Sequence, residues 1–482
     1  VTGPRLVAHR GRHGVGMARE NTLASIRDAI EWGADAVEID VRLTSDAAVV
    51  LLHDPTLERL WGDPRAIAEV SLDEVGEIGG GERRIPTLEA ALDVVRGTGA
   101  RLLIDMEDAE FARPAARIVR ACAAEEFTEW CGAGNAMHAI RETLPDAVIH
   151  QPWHSSTPPT AEDLTGLRPA FVNLPHLLAG PALVDAVHEL GARVSCWTVD
   201  DGAQVAHLGE IGVDSITSND LDGAREAAPD ETGRRLAIVG ELAGHAADAV
   251  RRARRDGVGV VDTKRDPADH VTEVDRAVER WVRSVLGAQF PEHDVVGEEY
   301  GGVADGATPC WYLDPVDGTA NLANGMPWTS FSLALVEEGE PVVGAIIDPV
   351  EGEPIVAARG RGVWRAGEPV VAPTHQGDPL TGRMVATELA GAVPWEGFVP
   401  LLERLAEKHC TLRVMGSGTA TLAGPALGRG IAALVHRYSA IDHAASFVIA
   451  RESGGVARVL PSGIALTGAN EEVASRLEAL LE

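Results

Sequence analysis

Over its first 226 residues the chain alternates short β-forming runs with helix-like segments, and this alternation restricts the fold more than any other feature. The runs are Leu6 to His9, Ala36 to Leu43, Arg101 to Asp105, Phe127 to Cys131, Val148 to Gln151, Phe171 to Leu174, Arg193 to Thr198 and Asp214 to Thr217. Eight strands spaced by helices predict a parallel (β/α)8 barrel. One further strand, Val49 to His53, follows the second after only Thr44-Ser45-Asp46-Ala47. That connection is too short for a parallel crossover and right for a hairpin, which would lay His53 beside Glu38.

The stretch Gly223 to Gly233 carries Pro, Gly and charge without apolar periodicity, which is linker chemistry. It divides the chain into a barrel domain over 1–226, a linker over 227–233 and a second domain over 234–482. In the second domain, helix-like Leu236 to Arg255 and Ala268 to Gln289 precede the strand-rich stretches Trp328 to Val336, Pro341 to Asp348 and Ile355 to Arg359. A later helix begins near Asp442. This order predicts a layered α/β (α+β) domain with helices stacked on sheets. No internal repeat relates the two parts.

Asp and Glu number 73 against 42 Lys and Arg, a formal charge of -31. Such a chain repels nucleic-acid backbones and anionic membranes, and no local basic patch intervenes. To handle an anionic substrate it needs metal ions that reverse the local field. The five cysteines are dispersed and form no C-x-x-C, so neither a disulfide framework nor a zinc site is expected. No stretch of about 18 apolar residues occurs. A cytoplasmic enzyme acting on small molecules is the expectation, with a homodimer left open.

In Cys310-Trp311-Tyr312-Leu313-Asp314-Pro315-Val316-Asp317-Gly318-Thr319, an apolar strand runs into two carboxylates three apart, then Gly-Thr. Two carboxylates and an intervening carbonyl are the hard oxygen ligands that Mg²⁺ demands. The Gly318 and Thr319 amides, at a helix start, would point at a phosphate. Asp-Pro and Asp-Gly are also ordinary turn formers. Three more segments bear on the choice. Val295-Val296-Gly297-Glu298-Glu299 is a strand ending in acids, and Lys264 precedes a helix carrying Asp275. Asp442 sits at a helix start, where an N-cap is an equally good reading.

In this order and spacing the segments resemble the inositol monophosphatase family, from Leu236 to about Ala469. The resemblance implies metal ligands at Glu298, Asp314, the Val316 carbonyl, Asp317 and Asp442, holding two or three Mg²⁺ ions. It implies a water-activating pair in Asp275 and Thr319. Lys264, Gly318, Thr319 and the glycine-rich segment containing Gly416 and Ser417 would line the substrate pocket. Ala433 and Val435 stand where the family often has polar or acidic residues, which puts the alcohol half of the substrate in doubt rather than the reaction.

In the first domain, Val7-Ala8-His9-Arg10-Gly11 ends one strand, Glu20-Asn21-Thr22 opens a helix and Glu38-Ile39-Asp40 ends the second strand. Period two puts Glu38 and Asp40 on one face, inside the barrel, where two carboxylates are costly unless they bind a cation or pair with Arg. With His53-Asp54-Pro55, Trp197-Thr198-Val199 and Gly212-Val213-Asp214-Ser215-Ile216-Thr217, these pieces resemble the glycerophosphodiester phosphodiesterase family over residues 5 to 225. The resemblance implies a TIM barrel with His9 and His53 as acid and base, Glu38 and Asp40 as Ca²⁺ or Mg²⁺ ligands, and Arg10 on the phosphate. Leu103-Ile104-Asp105-Met106-Glu107 departs from the pattern, which offers a metal-binding Glu and then a phosphate-binding Lys. Asp105 can still ligate a cation, whereas Glu107 reverses a charge beside the phosphate.

Joined, the halves imply a bifunctional metal-dependent phosphoesterase: the barrel opens a glycerophosphodiester to a phosphomonoester, and the second domain removes the phosphate. The competing readings are a phosphomonoesterase whose barrel is a degenerate binding or assembly module, and a tailoring phosphatase for a phosphorylated sugar or nucleoside.

Overall fold

The eight β-forming runs foreseen in the first half form the staves of a closed barrel, with helices between them. The computed structural model describes residues 3–79, 84–258, 260–263, 270–348, 352–373 and 379–482. They divide into two compact units, Val1–Asp230 and Glu231–Glu482. In the first, the strands are β1 (Arg5–Ala8), β2 (Ala36–Leu43), β3 (Val49–Leu51), β4 (Arg101–Met106), β5 (Thr128–Gly132), β6 (Val148–Pro152), β7 (Phe171–Pro175), β8 (Arg193–Trp197) and β9 (Ser215–Ser218). Among the described residues, eight of them pair in parallel in the order β1-β9-β8-β7-β6-β5-β4-β2, and a β1–β2 pairing closes the ring.

The ninth strand, β3, lies antiparallel to β2. Its register pairs Val41 with Leu51, and the Leu52 N–H donates to the Asp40 carbonyl at 3.1 Å. This ladder carries His53 level with Ile39, one residue short of the expected Glu38. The turn takes one more residue than a tight fold about Ser45-Asp46, because Ala47 adopts a left-handed conformation and donates to Thr44 O.

The lower bore of the barrel holds charge instead of aliphatic side chains. Glu129 on β5 is buried and receives two hydrogen bonds from Arg5, at 3.3 and 3.2 Å, an ion pair from Arg101, and a contact from His150 Nε2 at 3.1 Å. Burial alone would raise its carboxyl, but the His150 hydrogen bond and the charges around it hold the pKa at about 2. Burial pushes His150 itself down, so it serves as a neutral donor stacked 4.1 Å from Phe171.

In the second unit, β10 (Val260–Thr263) and β11 (His270–Thr272) form a hairpin. A seven-stranded sheet follows in chain order: β12 (Asp294–Gly297), β13 (Cys310–Asp317), β14 (Ser330–Glu337), β15 (Glu340–Ile347), β16 (Ile355–Ala358), β17 (Gly362–Arg365) and β18 (Glu368–Val370). A second sheet runs β20-β19-β21-β23-β22, from β19 (Met384–Thr387), β20 (Thr411–Val414), β21 (Ala432–Val435), β22 (Val456–Val459) and β23 (Ala465–Gly468). The helix Ala440–Glu452 packs on strands of both sheets. Its residues 443–450 are all buried, as expected of a helix between two layers.

Two expected boundaries move. The helix expected from Ala268 starts at Glu273, because His270–Thr272 pairs with β10 and Thr272 then caps the helix, its N–H donating to Asp275 at 2.9 Å. The helix expected from Leu236 starts at Glu231, inside the stretch read as linker, because Glu231 ties Arg234 and Arg235 one turn on. All five cysteines are free thiols.

Glu129→Gln should destabilise the barrel by about 3 kcal/mol at pH 7, since it leaves arginines facing a buried amide. The native carboxyl titrates at about 2 against an ordinary 4.5, so its contribution is complete above about 4.5 and fades as pH falls towards 2. Urea unfolding of wild type and variant at pH 7 and pH 3 measures both: the gap between them should shrink at the lower pH.

Candidate active sites

The phosphatase-like site is built where β12 and β13 end side by side. Asp314 is buried within β13 and accepts from the Val316 N–H at 3.0 Å. The β13–β14 register breaks between Asp314 and Asp317, which frees the strand to turn. Gly318 then takes φ 88°, and a Cβ there would meet the Gly416 and Trp328 carbonyls at 2.8 and 2.9 Å, so only glycine fits. It caps a short helix, Thr319–Ala323. The Thr319 hydroxyl lies 3.1 Å from Asp275 Oδ1 and 2.8 Å from the Val316 carbonyl. Thus Asp275 and Thr319 meet as the sequence implied, and Asp275 is buried and raised in pKa by that burial.

Asp317 accepts from Ser417 Oγ at 2.8 Å and the Thr419 N–H at 2.6 Å, so the glycine-rich segment grips the carboxylate directly. Asp442 lies in the first turn of its helix, while Ser439 occupies the N-cap, which removes the capping explanation for Asp442. Glu298, Asp314, Asp317 and Asp442 line one cavity of about 450 Å³ together with Thr319 and Gly416. Lys264 lies outside the described residues.

Burial, then the charges of Glu298, Asp317 and Asp442, push the Asp314 carboxyl well above the usual range. Among the described residues no three His, Cys, Asp or Glu side chains close into a ready-made cation cage. The carboxylates form an open set whose mutual repulsion a hard divalent cation would relieve, and their donors are all oxygen. On chemistry the residues fit Mg²⁺.

Sequence reasoning missed Glu388. It follows β19, as Glu298 follows β12, and a strand running into an acid was the available signal. Glu388 lines the same cavity, accepts from the Gly416 N–H at 2.8 Å and binds the Thr421 hydroxyl. Burial raises its pKa to about 7.

In the barrel, the candidate groups gather at the strand ends opposite the Glu129 network. Gly11 has φ 77°, and a Cβ would strike Ser25 at 2.5 Å, so His9-Arg10-Gly11 folds tightly onto the first helix. His9 Nδ1 lies 2.7 Å from Asn219 Oδ1, and Asp200 fixes that amide at 2.8 Å. Its Nε2 is 3.9 Å from Glu38. The Arg10 N–H donates to Glu38 at 2.8 Å, while its guanidinium reaches Glu20 at 3.0 Å and Asp40 at 3.2 Å. Burial, then Asp40 and Asp105, raise Glu38 well above the carboxylate range, and Asp105 is pushed to about 6, chiefly by burial.

Glu107 does not stand as an isolated negative charge. Arg42, on β2, binds it at 2.6 Å and donates through Nε to the His53 carbonyl at 2.6 Å. A second arginine absent from the sequence reading, Arg59, joins Asp54 to Glu20, bonding Glu20 at 3.0 and 2.6 Å. Since His53 Nδ1 lies 2.7 Å from Asp54, a continuous chain of polar contacts runs from His53 through Asp54, Arg59 and Glu20 to Arg10. Arg59 holds Asp54 at about 2.

The inositol monophosphatase family model matches residues 234–476, half of the chain, and that of the glycerophosphoryl diester phosphodiesterase family matches residues 9–223. The Nus factor SuhB of Pseudomonas aeruginosa is 30% identical over 204 residues, 40% of this chain and 73% of that protein. A fructose-1,6-bisphosphatase/inositol-1-monophosphatase of Thermotoga maritima is 30% identical over 197 residues, 41% of this chain and 73% of that protein. Inositol monophosphatase 1 of Bos taurus is 29% identical over 225 residues, 45% of this chain and 79% of that protein. Through its second unit, then, the chain belongs to the inositol monophosphatase family, and it carries that unit behind a glycerophosphoryl diester phosphodiesterase barrel.

Proposed function

We propose that the barrel hydrolyses a glycerophosphodiester to a phosphomonoester and that the second unit hydrolyses a phosphomonoester, an inositol phosphate or a similar polyol or sugar phosphate, to alcohol and phosphate. The observation that carries this reading is the convergence at one cavity of Glu298, Asp314, Asp317 and Asp442 with Thr319, whose hydroxyl is bonded to the buried Asp275 behind it. Mg²⁺ bound there, as two or three ions held by Glu298, Asp314, the Val316 carbonyl, Asp317 and Asp442, would activate water and neutralise phosphoryl charge. Asp275, hydrogen-bonded to Thr319, takes the proton of the attacking water through that hydroxyl. Gly318, Gly416 and Ser417 shape the bed for the phosphate.

In the barrel, His9 and His53 act as acid and base, and Glu38, Asp40 and Asp105 hold Ca²⁺ or Mg²⁺. Arg10 supplies the positive charge that faces the diester. The Arg42–Glu107 pair favours an active barrel over a degenerate one, because it cancels the charge reversal at Glu107. Small phosphate esters rather than nucleic acid are the substrates in this reading, with a cytoplasmic location and a homodimer as its further expectations. Among the described residues no helix is long and apolar enough to cross a membrane.

Glycerophosphoinositol supplied to the purified chain with Mg²⁺ should release inorganic phosphate, and chelation should abolish release. Phosphate from inositol phosphate but none from the diester would refute the two-step reading. Asp317→Asn should lower monoester turnover on the order of 10³-fold and leave diester opening unchanged; His53→Ala should do the reverse. Arg59→Ala should lower kcat for the diester roughly tenfold with little change in KM, because it loosens His53 without touching substrate. Steady-state assays with each ester separate these outcomes.

A further inference from the structure

At the end of β21 the chain passes along the wall of the phosphatase cavity as Val435, His436 and Arg437. Val435 is buried and presents only methyl groups. The Nδ1 of His436 is buried without a hydrogen-bond partner. Burial and the neighbouring guanidinium lower the His436 pKa, so the ring is neutral near pH 7. His443, on the same wall, is lowered to about 3, chiefly by burial, and is neutral too. Arg437 is exposed, and among the described residues lining the cavity it is the one Lys or Arg. It engages no carboxylate among the described residues.

An exposed arginine is ordinarily just solvated, and in this chain most arginines near acids are paired. Arg437 faces a cavity that also holds Glu298, Asp314, Asp317, Glu388 and Asp442, yet it pairs with none of them. The metal-oriented carboxylates are spoken for by the phosphate end of the substrate. A guanidinium left unpaired on the cavity wall matches the fork geometry of a carboxylate or phosphate, and it is poorly matched to a neutral hydroxyl.

We infer that the Val435–Arg437 corner is a subsite for a second anionic group, a carboxylate or a phosphate, carried on the alcohol half of the substrate. The inference rests on the reading of the second unit as a phosphomonoesterase and narrows its substrate class. Arg437 binds the distal anion, Val435 packs against the carbon chain, and the scissile phosphate lies at the carboxylate end of the cavity. Arg437 thus sets specificity through substrate binding and takes no part in activating water.

The test compares esters that differ in the distal group alone: glycerol 1-phosphate against 3-phosphoglycerate, and fructose 1-phosphate against fructose 1,6-bisphosphate. Wild type should prefer the doubly anionic member of at least one pair, and which pair shows the preference distinguishes carboxylate from phosphate. Arg437→Gln should lower kcat/KM for that member about tenfold, through KM, and change the singly anionic ester less than twofold. Arg437→Lys, which keeps the charge but loses the planar fork, should retain only part of the preference. An equal loss on both members would overturn the inference, since Arg437 would then be reading the scissile phosphate; so would no loss on either. If wild type releases phosphate from none of the esters, the phosphomonoesterase reading fails by itself. Calorimetric binding of 3-phosphoglycerate and fructose 1,6-bisphosphate to wild type and Arg437→Gln then decides the subsite, and equal affinities would overturn it.

Discussion

Carboxylates forced together out of water set the terms on which both units are built. Burial and the charge of Asp40 raise both Glu38 and Asp105 at the mouth of the barrel, and burial with Glu298, Asp317 and Asp442 raises Asp314 in the second unit. Each group alone would be expelled or neutralised. What keeps them in place is backbone: parallel strands that end in register, the turn at Gly318, and N–H groups such as those of Arg10, Val316 and Thr419 that donate to particular oxygens. The scaffold therefore concentrates like charge at two places, the same two to which the proposed function assigns a cation and an anionic ester. An overall charge of -31 makes the same point at the scale of the chain.

Around the barrel cluster, arginine rather than lysine performs the ordering. Arg42 and Arg59 each hold two partners with one planar group, and each touches the segment that carries His53. A lysine could reach one acid at a time. The consequence is that the candidate catalytic groups of the barrel share a common framework: a change at Glu20 or Asp54 is felt at both Arg10 and His53.

The barrel strands were legible because short β-forming runs alternate with helix-like segments eight times over, and the carboxylate pattern of β13 was legible because its spacing is local. The helix start at Glu273 was not, since three residues with strand pairing, His270–Thr272, look like the first turn of a helix until β10 is seen beside them. Glu388 and Arg59 escaped for a different reason. Their partners lie 28 and 39 residues away, at Gly416 and Glu20, so no local window contains the interaction that gives them meaning. Asp442 could be read as a cap or a ligand from sequence; Ser439 in the N-cap decides against the first.

The charged plug around Glu129 closes the lower bore of the barrel with Arg5, Arg101 and His150. With that end stoppered, the barrel is a well rather than a conduit. Whatever reaches Glu38 and Asp40 therefore arrives and departs on the one side of the barrel that the Glu129 network leaves open.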